Sequence, residues 1–275
     1  MDIRGCTAVI TGGGSGIGRA TAIRLAELGA SRVALIDVDA RGLSETAARV
    51  AEAGSSASTH VCDVSDVVVL ARTFDEIVAA GPIQIVFNNA GVVSGSALFP
   101  DAEPARAQRI IDINVMGVIL GTQLAIRHMA GHGGVVVNTG STSHNSTGFR
   151  DILYSTSKAA VVQFTAACGQ LHATTGVRVC GVNPTLVDTP IIDTTGGAQC
   201  ADWMAPVLAN NRALPPEAIA KVVVDLIEDD EAIGRVIDAT LDVWEGETRQ
   251  LAGPGEREEL PRDRVLAMEL RETVR

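Results

Sequence analysis

Short runs of β-branched and aliphatic residues alternate with longer helix-patterned stretches along most of this 275-residue chain. Three of the runs, Val33–Ile36, Ile85–Phe87 and Val135–Val137, are apolar throughout, as expected for strands that are covered on both faces. Strict alternation of strand and helix indicates an α/β fold with a doubly wound parallel sheet. The seven predicted strands are Cys6–Thr11, Arg32–Asp37, Ala57–Cys62, Ile83–Asn88, Gly134–Thr139, Arg178–Asn183 and Arg235–Ala239.

No internal repeat or linker divides the chain, so we predict a single domain over residues 1–244 and a charged C-terminal tail over residues 245–275. Residues 184–214 contain three prolines and separate the sixth strand from the next helix. A connection of that length in a compact domain is usually functional, and we expect it to form a lid over a site. The predicted helices are 17–28, 40–53, 67–80, 103–130, 152–174 and 215–228.

The composition argues against several kinds of partner and location. A net charge of −11 and an isoelectric point near 4.9 disfavour nucleic acid and anionic membranes. No apolar run approaches the roughly 18 residues of a membrane span, so we expect no membrane partner. The five cysteines are scattered, and no signal-peptide pattern is visible, which favours a reduced cytoplasmic setting. His128 and His132 have no third ligand, and we assign no metal.

A glycine-rich turn follows the first predicted strand and opens the first predicted helix, in the pattern Gly12-x-x-x-Gly16-x-Gly18. Glycines at this place allow a tight turn and a close approach of the backbone to a pyrophosphate, whose charge then lies at the N-terminus of the helix. A P-loop is excluded, because no Gly-Lys-Ser/Thr ends the turn. The strand, turn and helix therefore predict a dinucleotide site in a fold of Rossmann type.

Asp37 ends the second predicted strand, 19 residues after Gly18. A carboxylate there accepts hydrogen bonds from the ribose 2′-hydroxyl and repels the 2′-phosphate of NADP. Neither Ser15 nor Val38 is basic, so nothing obvious offers a 2′-phosphate a partner. We therefore predict NAD as the cofactor, with a plain turn aspartate as the alternative reading of Asp37.

Two further motifs follow in order: Asn-Asn-Ala-Gly at residues 88–91, and Tyr154-x-x-x-Lys158 in a later helix. Tyr154 is the only tyrosine in the chain, and Lys158 is one of just two lysines. Together with the glycine turn, these motifs resemble the short-chain dehydrogenase/reductase family over about residues 5–240. The resemblance implies a Rossmann fold, a nicotinamide dinucleotide and oxidoreductase activity.

The resemblance also implies roles for individual cofactor residues. Asp63 and Val64 would contact adenine, while Val187 by its backbone and Thr189 by its hydroxyl would bind the nicotinamide carboxamide. The family usually has Pro-Gly where this chain has Pro-Thr at residues 184–185. The implied cofactor-binding residues are Gly12, Ser15, Gly16, Ile17, Gly18, Asp37, Asp63, Val64, Asn89, Ala90, Gly91, Tyr154, Lys158, Pro184, Val187 and Thr189.

Oxidation of a secondary alcohol requires removal of the hydroxyl proton while hydride leaves for the nicotinamide. Tyrosine is a poor base, because its unperturbed pKa is about 10. Lys158 lies on the same helix face as Tyr154, so we expect its ammonium to lower the pKa of the phenol toward the working pH. By resemblance, Ser141 would hydrogen-bond the substrate oxygen, and Asn114 would hold a water in the proton relay.

We expect the substrate pocket to draw on residues 93–99, 142–153 and 186–210. Because these segments supply Phe99, His144, Phe149, Leu153, Trp203 and Met204, we expect a largely apolar pocket with a few polar groups, and we predict a hydrophobic or ring-bearing secondary alcohol, or its ketone, as the substrate. The candidate substrate residues are Ser141, His144, Phe149, Asp151 and Trp203.

The helices 103–130 and 152–174 are expected to form a homodimer, by resemblance to the family. Many members end the last strand with an Asp-Gly-Gly run that supports a tetramer, and this chain has Asp-Ala-Thr at residues 238–240. Two other functions remain open: a non-catalytic NAD-binding regulator and a sugar-nucleotide epimerase or dehydratase. The intact Ser141, Tyr154 and Lys158 count against the first, and the spacing of the glycines counts against the second.

Overall fold

Seven parallel strands form the central sheet. The computed structural model describes residues 1–95, 97–146, 148–194, 211–240, 249–251 and 257–258. The six strands before residue 190 each lie within two residues of their predicted bounds. The strands of this sheet are β1 (Thr7–Thr11), β2 (Arg32–Asp37), β3 (Ser56–Val61), β4 (Ile85–Asn88), β5 (Gly134–Thr139), β6 (Val177–Pro184) and β8 (Val236–Ala239).

The spatial order of the strands is β3-β2-β1-β4-β5-β6-β8, and all neighbouring pairs in it are parallel. The predicted doubly wound α/β fold is therefore confirmed. The order reverses at β1, which pairs with β2 on one side and with β4 on the other. In open sheets of this kind, ligands bind beyond the carboxyl ends of the strands at such a reversal.

The helices connect the strands along both faces of the sheet. Most begin and end within one residue of prediction, but the predicted helix 152–174 is interrupted by a 3-10 turn at Gly169–Leu171. The helices are α1 (Gly16–Glu27), α2 (Ala40–Glu52), α3 (Val67–Ala79), α4 (Pro104–Ile111), α5 (Gly117–Met129), α6 (Ile152–Cys168), α7 (His172–Thr175), α8 (Pro190–Thr194) and α9 (Pro216–Glu228).

Successive strand residues point to opposite faces of the sheet, so each face carries its own hydrophobic core. On one face Ile10 and Leu35 pack with side chains of α1, α2 and α9. On the other face Val9 and Ile36 pack with side chains of α3 and α5. This arrangement explains why the strands are apolar throughout rather than alternating.

The stretch from α4 to α5 is continuous, because a π-helical turn at Asp112–Met116 joins the two helices. Over Pro104–Met129 this is the one described helix that is long and apolar enough to cross a membrane, by length and composition alone. We expected no apolar run of that length; this helix reaches it by average hydropathy, although Arg106, Arg109, Asp112 and Arg127 interrupt the run. Half of its apolar window is buried in the fold.

A second, small sheet lies in the segments that we predicted to be lid and tail. Its antiparallel strands are β7 (Arg212–Ala213), β9 (Arg249–Leu251) and β10 (Arg257–Glu258), in the order β10-β9-β7. The predicted tail 245–275 thus contributes strands that pair next to the predicted lid. Residues 195–210 of the lid and 259–275 of the tail lie outside the described residues.

Candidate active site

A cleft of about 720 Å³ opens at the carboxyl ends of the parallel strands. It lies over the reversal between β1 and β4, and its walls come from the segments that follow β1 through β6. Nearly all of the candidate cofactor residues line it: Gly12, Ser15, Gly16, Ile17, Asp37, Asp63, Val64, Asn89, Ala90, Gly91, Tyr154, Lys158, Pro184, Val187 and Thr189.

Gly18 is the candidate cofactor residue that does not line the cleft, and its role is to bring α1 close to the turn. A Cβ atom at Gly18 would overlap the carbonyl of Gly12. Gly12 itself has a φ of +66°, and a Cβ there would lie 2.8 Å from Asn89 Nδ2 and 3.0 Å from Ala90 Cα. The turn therefore needs glycine for conformation at one position and for space at both.

Asp37 closes the end of the cleft next to this turn. Its Oδ2 accepts a hydrogen bond from the Gly14 N–H at 2.9 Å, and its Oδ1 accepts one from the Asp39 N–H at 3.0 Å. The carboxylate is thus fixed in place, with lone pairs left for a ligand hydroxyl. Arg19 is close by, but its guanidinium donates to Gly14 and Gly42 carbonyls and to Glu45.

Thr11, at the end of β1, is a residue whose function the sequence did not indicate. Its hydroxyl accepts hydrogen bonds from the backbone N–H groups of Asn89 (3.0 Å) and Ala90 (3.1 Å). The Asn89 side chain returns the contact by donating to the carbonyls of Thr11 and Gly12. This set of bonds holds the Asn-Asn-Ala-Gly segment against the glycine turn across the reversal. Recognising it requires knowing that β1 and β4 are neighbours.

At the predicted adenine end, Asp63 follows β3. Partial burial would raise the pKa of its carboxyl, but hydrogen bonds from Ser65 and the Arg109 guanidinium at 3.3 Å hold that pKa below its usual value. Val64 is buried beside Gly117, where a Cβ would come within 2.9 Å of the valine methyl. Both predicted adenine residues therefore have fixed positions at the cleft wall.

Ser141, Tyr154 and Lys158 come together in one part of the cleft. Ser141 follows β5, and its hydroxyl is close enough to the Tyr154 phenol to lower the pKa of that group. Lys158 is 2% exposed, and its Nζ donates to the Thr139 carbonyl at 2.8 Å while lying 5.7 Å from the centre of the Tyr154 ring. The structure thus places three of the four predicted catalytic side chains within reach of one another, and Asn114 is the fourth.

The pKa of Tyr154 differs from our expectation. That pKa is raised to about 12, chiefly by burial and to a smaller degree by the Asp151 carboxylate, while the Ser141 hydroxyl acts to lower it. Burial also lowers the pKa of Lys158 to about 8. The predicted lowering of the tyrosine pKa by lysine is therefore not observed, because the effect of burial on the phenol dominates.

Asn114 lies in the π-helical turn and is completely buried. Its Oδ1 accepts from the Val92 N–H at 2.8 Å, and its Nδ2 donates to the Val92 carbonyl at 2.8 Å and to the Ser157 hydroxyl at 3.0 Å. Both side-chain donors are therefore used within the protein. The amide joins the segment after β4 to α6, and its predicted role in holding a water stays a prediction.

The end of β6 and the segment after it form a further wall of the cleft, which reaches the glycine turn at Thr189. The Pro184 carbonyl accepts from the Thr142 hydroxyl at 3.4 Å, and Val187 forms an isolated bridge with Leu214. The methyl side of Thr189 lies against Gly16, where a Cβ would come within 3.0 Å of it. The predicted carboxamide-binding residues therefore lie at the rim of the same cleft.

The candidate substrate residues are placed differently from one another. Phe149 lines the cleft with its ring 6.1 Å from that of Tyr154, and Asp151 lines it with only 2% exposure. His144 is not among the described lining residues, and its Nδ1 lies 2.6 Å from the Ser141 carbonyl, to which it donates. Trp203 lies outside the described residues.

Comparisons with known proteins agree with this geometry. A family model described as short chain dehydrogenase matches residues 6–198. The chain is 34% identical over 246 residues to a cis-4-hydroxycyclohexanecarboxylate dehydrogenase of Sinomonas cyclohexanicum, covering 88% of this chain and 96% of the relative.

Two solved structures are also similar to this chain. One is levodione reductase, with a TM-score of 0.76 and 30% identity over 86% of this chain and 96% of the other. The second is NAD⁺-bound xylitol dehydrogenase, with a TM-score of 0.77 and 28% identity over 86% of this chain and 98% of the other. The chain belongs to the short-chain dehydrogenase/reductase family of oxidoreductases.

Proposed function

We propose that this protein is an NAD-dependent oxidoreductase that interconverts a secondary alcohol and a ketone, with Tyr154 as the general acid and base. The observation that carries the proposal is the meeting of Ser141, Tyr154 and Lys158 in a cleft that also contains the glycine turn. Neither part alone distinguishes an enzyme from a nucleotide-binding protein.

The residues present fit a dinucleotide. Gly12 and Gly16 line the cleft with bare backbone, against which a pyrophosphate would lie, and side chains at Gly14 and Gly16 would crowd Asp37 and Thr189. Asp63 and Val64 would hold the adenine, and Val187 and Thr189 the carboxamide. When bound, the nicotinamide would supply the hydride acceptor or donor.

The choice of NAD over NADP rests on Asp37. Its fixed carboxylate would accept bonds from a ribose 2′-hydroxyl and repel a 2′-phosphate, while Arg19 is held by other partners. The NAD⁺ in the similar xylitol dehydrogenase structure supports this choice. We expect Asp37→Ala to lower the NAD/NADP ratio of kcat/KM by about tenfold or more. Asp75→Asn, an exposed carboxylate of α3, is the matched control, and a wild type that prefers NADP would refute the assignment.

The proton chemistry belongs to the chain itself. In oxidation the Tyr154 Oη would take the proton of the alcohol, and in reduction it would return that proton to the ketone oxygen. Ser141 would donate a hydrogen bond to the same oxygen, where charge develops. Lys158, held by the Thr139 carbonyl, places a cation beside the phenol that would stabilise a tyrosinate during the reaction.

For the substrate we propose a hydrophobic or ring-bearing secondary alcohol or its ketone. Phe149 beside Tyr154 gives the cleft an apolar surface at the reacting end. The similar dehydrogenase of Sinomonas cyclohexanicum is named for a hydroxycyclohexane substrate. A panel of cyclic and linear secondary alcohols, followed by the appearance of NADH, would test this class.

The decisive experiment is Tyr154→Phe. We expect turnover with the best alcohol of the panel to fall by about a thousandfold, while the affinity for NADH changes little. Thr156→Ala, an exposed residue of the same helix, should retain activity. Near-normal turnover in Tyr154→Phe would refute the mechanism, and a wild type that binds NADH but oxidises no alcohol would favour a regulator.

We further propose a homodimer that packs through Pro104–Met129 and α6. Half of the apolar window in Pro104–Met129 remains outside the core of the chain, and Met116 and Ile152 are exposed. Burial of that surface against a second copy would be favourable. Light scattering of the purified protein would show a mass of two chains, and a monomer at micromolar concentration would contradict the proposal.

A further inference from the structure

Asp151 joins two segments that are far apart in the sequence. Its Oδ2 accepts a hydrogen bond from the Ser94 N–H at 2.8 Å, and its Oδ1 accepts one from the Ser94 hydroxyl. The same Oδ1 accepts a bond from the Tyr154 N–H at 3.0 Å. The carboxylate therefore holds the segment after β4 and the start of α6 together, at the cleft wall. We call this set of bonds the Ser94–Asp151 clasp.

The bond to Tyr154 is a helix cap. Asp151 is the N-cap residue of α6, and Tyr154 is the third residue of that helix. An N-cap side chain that accepts from the third N–H fixes the first turn of a helix. Because the first turn of α6 contains the proposed acid and base, the cap also sets the position of the phenol.

The clasp places a negative charge in a nearly water-free position. Asp151 is 2% exposed and lines the cleft, and no cation lies within ion-pair distance of it in the described part of the chain. Arg106 approaches the clasp, but it donates to the Ser94 carbonyl at 3.1 Å. A buried carboxylate without a cation acts strongly on a neighbouring ionisable group, since little solvent screens it.

The other charged or titratable groups near this end of α6 have partners of their own. Lys158 bonds the Thr139 carbonyl, and His144 bonds the Ser141 carbonyl. Asp112 accepts from Gln108, and Asp238 accepts from Asn183. Arg150, next to the cap, is exposed to solvent. Replacement of Asp151 would therefore change the charge beside the phenol without removing a partner of these groups.

We propose that Asp151 is a positioning residue that keeps the Tyr154 phenol in its proton-bearing form and thereby biases the site toward ketone reduction. This rests on the proposed function. In reduction Tyr154 Oη would give one proton to the ketone oxygen while a bound nicotinamide would supply the hydride, giving the alcohol and a tyrosinate that solvent would reprotonate. The reverse reaction must start from the tyrosinate, and a nearby carboxylate makes that form scarce at the working pH, whereas the proton-bearing form from which reduction starts stays populated. Consistent with this, Asp151 adds to the effect of burial on the pKa of Tyr154.

The single tyrosine of the chain allows a direct test. The near-ultraviolet absorbance of tyrosinate reports on Tyr154 alone, and stopped-flow pH jumps read it before the chain unfolds. Asp151→Ser keeps a capping oxygen and removes the charge, and Asp151→Asn removes the charge with a similar shape. We expect both variants to shift the midpoint of the Tyr154 absorbance titration to lower pH by about half to one unit. The rising limb of alcohol oxidation against pH should shift in the same direction.

Two further variants separate the charge from the clasp. Ser94→Ala removes one hydrogen bond but leaves the carboxylate, so the titration midpoint should stay within about 0.2 units while KM for the ketone rises. Asp225→Asn, an exposed carboxylate of α9, should change neither value. A shifted midpoint in Asp151→Ser with an unchanged midpoint in Ser94→Ala would show that the charge of Asp151, rather than its hydrogen bond to Ser94, acts on the Tyr154 phenol.

Two outcomes would overturn the inference. One is a folded Asp151→Ser or Asp151→Asn variant with the wild-type midpoint and only a lower melting temperature, which would make Asp151 a helix cap alone. The other is an equal shift in Asp151→Ser and Ser94→Ala. If the wild type oxidises or reduces nothing, the proposed function fails. In that case the absorbance titration still decides whether the Asp151 charge acts on Tyr154.

Discussion

The two halves of the cleft are built in different ways. In the nucleotide half, the backbone geometry of a short stretch determines the shape of the site. Gly12 turns the chain, and Asp37 accepts hydrogen bonds from the N–H groups of Gly14 and Asp39. In the substrate half, side chains join distant segments, as Asp151 joins Ser94 across 57 residues. The first half depends on which residues follow one another, and the second on which residues meet in the fold.

The largest effect should come from the nucleotide half. Gly12→Ala combines a left-handed backbone with a contact to Ala90 and Asn89, so we expect NADH affinity to fall more than about a hundredfold. Gly5→Ala is the matched control, because Gly5 has a φ of +77° with open space around it. It should cost about 1–2 kcal/mol of stability and leave NADH binding intact. Equal loss of NADH affinity in both variants would show that backbone strain alone, rather than the packing around Gly12, determines NADH binding.

Lys158 lies where the two halves meet, and its pKa gives a stability prediction. Burial lowers that pKa from 10.5 to about 8. Between these values the unfolded chain holds more protons than the folded one, so folded-state stability rises with pH across this window. Relative to Lys158→Met, the wild type should gain about 2–3 kcal/mol from pH 8 to pH 10.5 in urea unfolding. Parallel curves for the two proteins would mean that the ammonium is well solvated.

A smaller effect is expected in the substrate half. Phe149→Ala removes the ring beside Tyr154, and we expect KM for a cyclic ketone to rise by about tenfold because apolar contact area is lost. NADH affinity should be unchanged, as measured by fluorescence titration. Ile152→Ala, at the exposed first position of α6, is the control. A parallel loss of NADH affinity in Phe149→Ala would show that the two halves are not separable.

The smallest effect should follow Arg109→Ala. The Arg109–Asp63 pair spans 3.3 Å, but the arginine is 58% exposed, so solvent screens it. We expect the free energy of unfolding to fall by less than about 0.5 kcal/mol and NADH affinity to change by less than about twofold. A larger loss of NADH affinity would mean that Arg109 itself contacts the nucleotide, and α4 would then belong to the nucleotide half.

The sequence predicted the parts that depend on local pattern. The bounds of β2 and β5 matched, because both strands are apolar runs ended by polar residues. The glycine turn and Asp37 were found from their spacing together with the predicted strand before the turn and the predicted helix after it. The Tyr154 and Lys158 pair was found from helical spacing and from the rarity of both residue types in this chain.

The remaining features depend on contacts between segments that are distant in the sequence, and local sequence pattern does not show which of these segments meet. Thr11 and Ser94 look like ordinary polar residues until β1 is known to lie beside β4 and the loop after β4 beside α6. The π-helical turn around Asn114 was hidden inside an apolar helical pattern. The direction of the Tyr154 pKa was also missed, because burial depends on packing from several elements.

The strand order has a consequence for how the chain acquires its ligand. The cleft lies over the paired strands β1 and β4. In the sequence these strands are separated by α1 and by two further strands, β2 and β3, each with its following helix. During synthesis the first three strands emerge before this pairing can form, and pairings between distant segments form slowly. A dinucleotide would therefore stabilise the finished chain without guiding its early folding. In refolding experiments, it should slow unfolding while leaving the folding rate nearly unchanged.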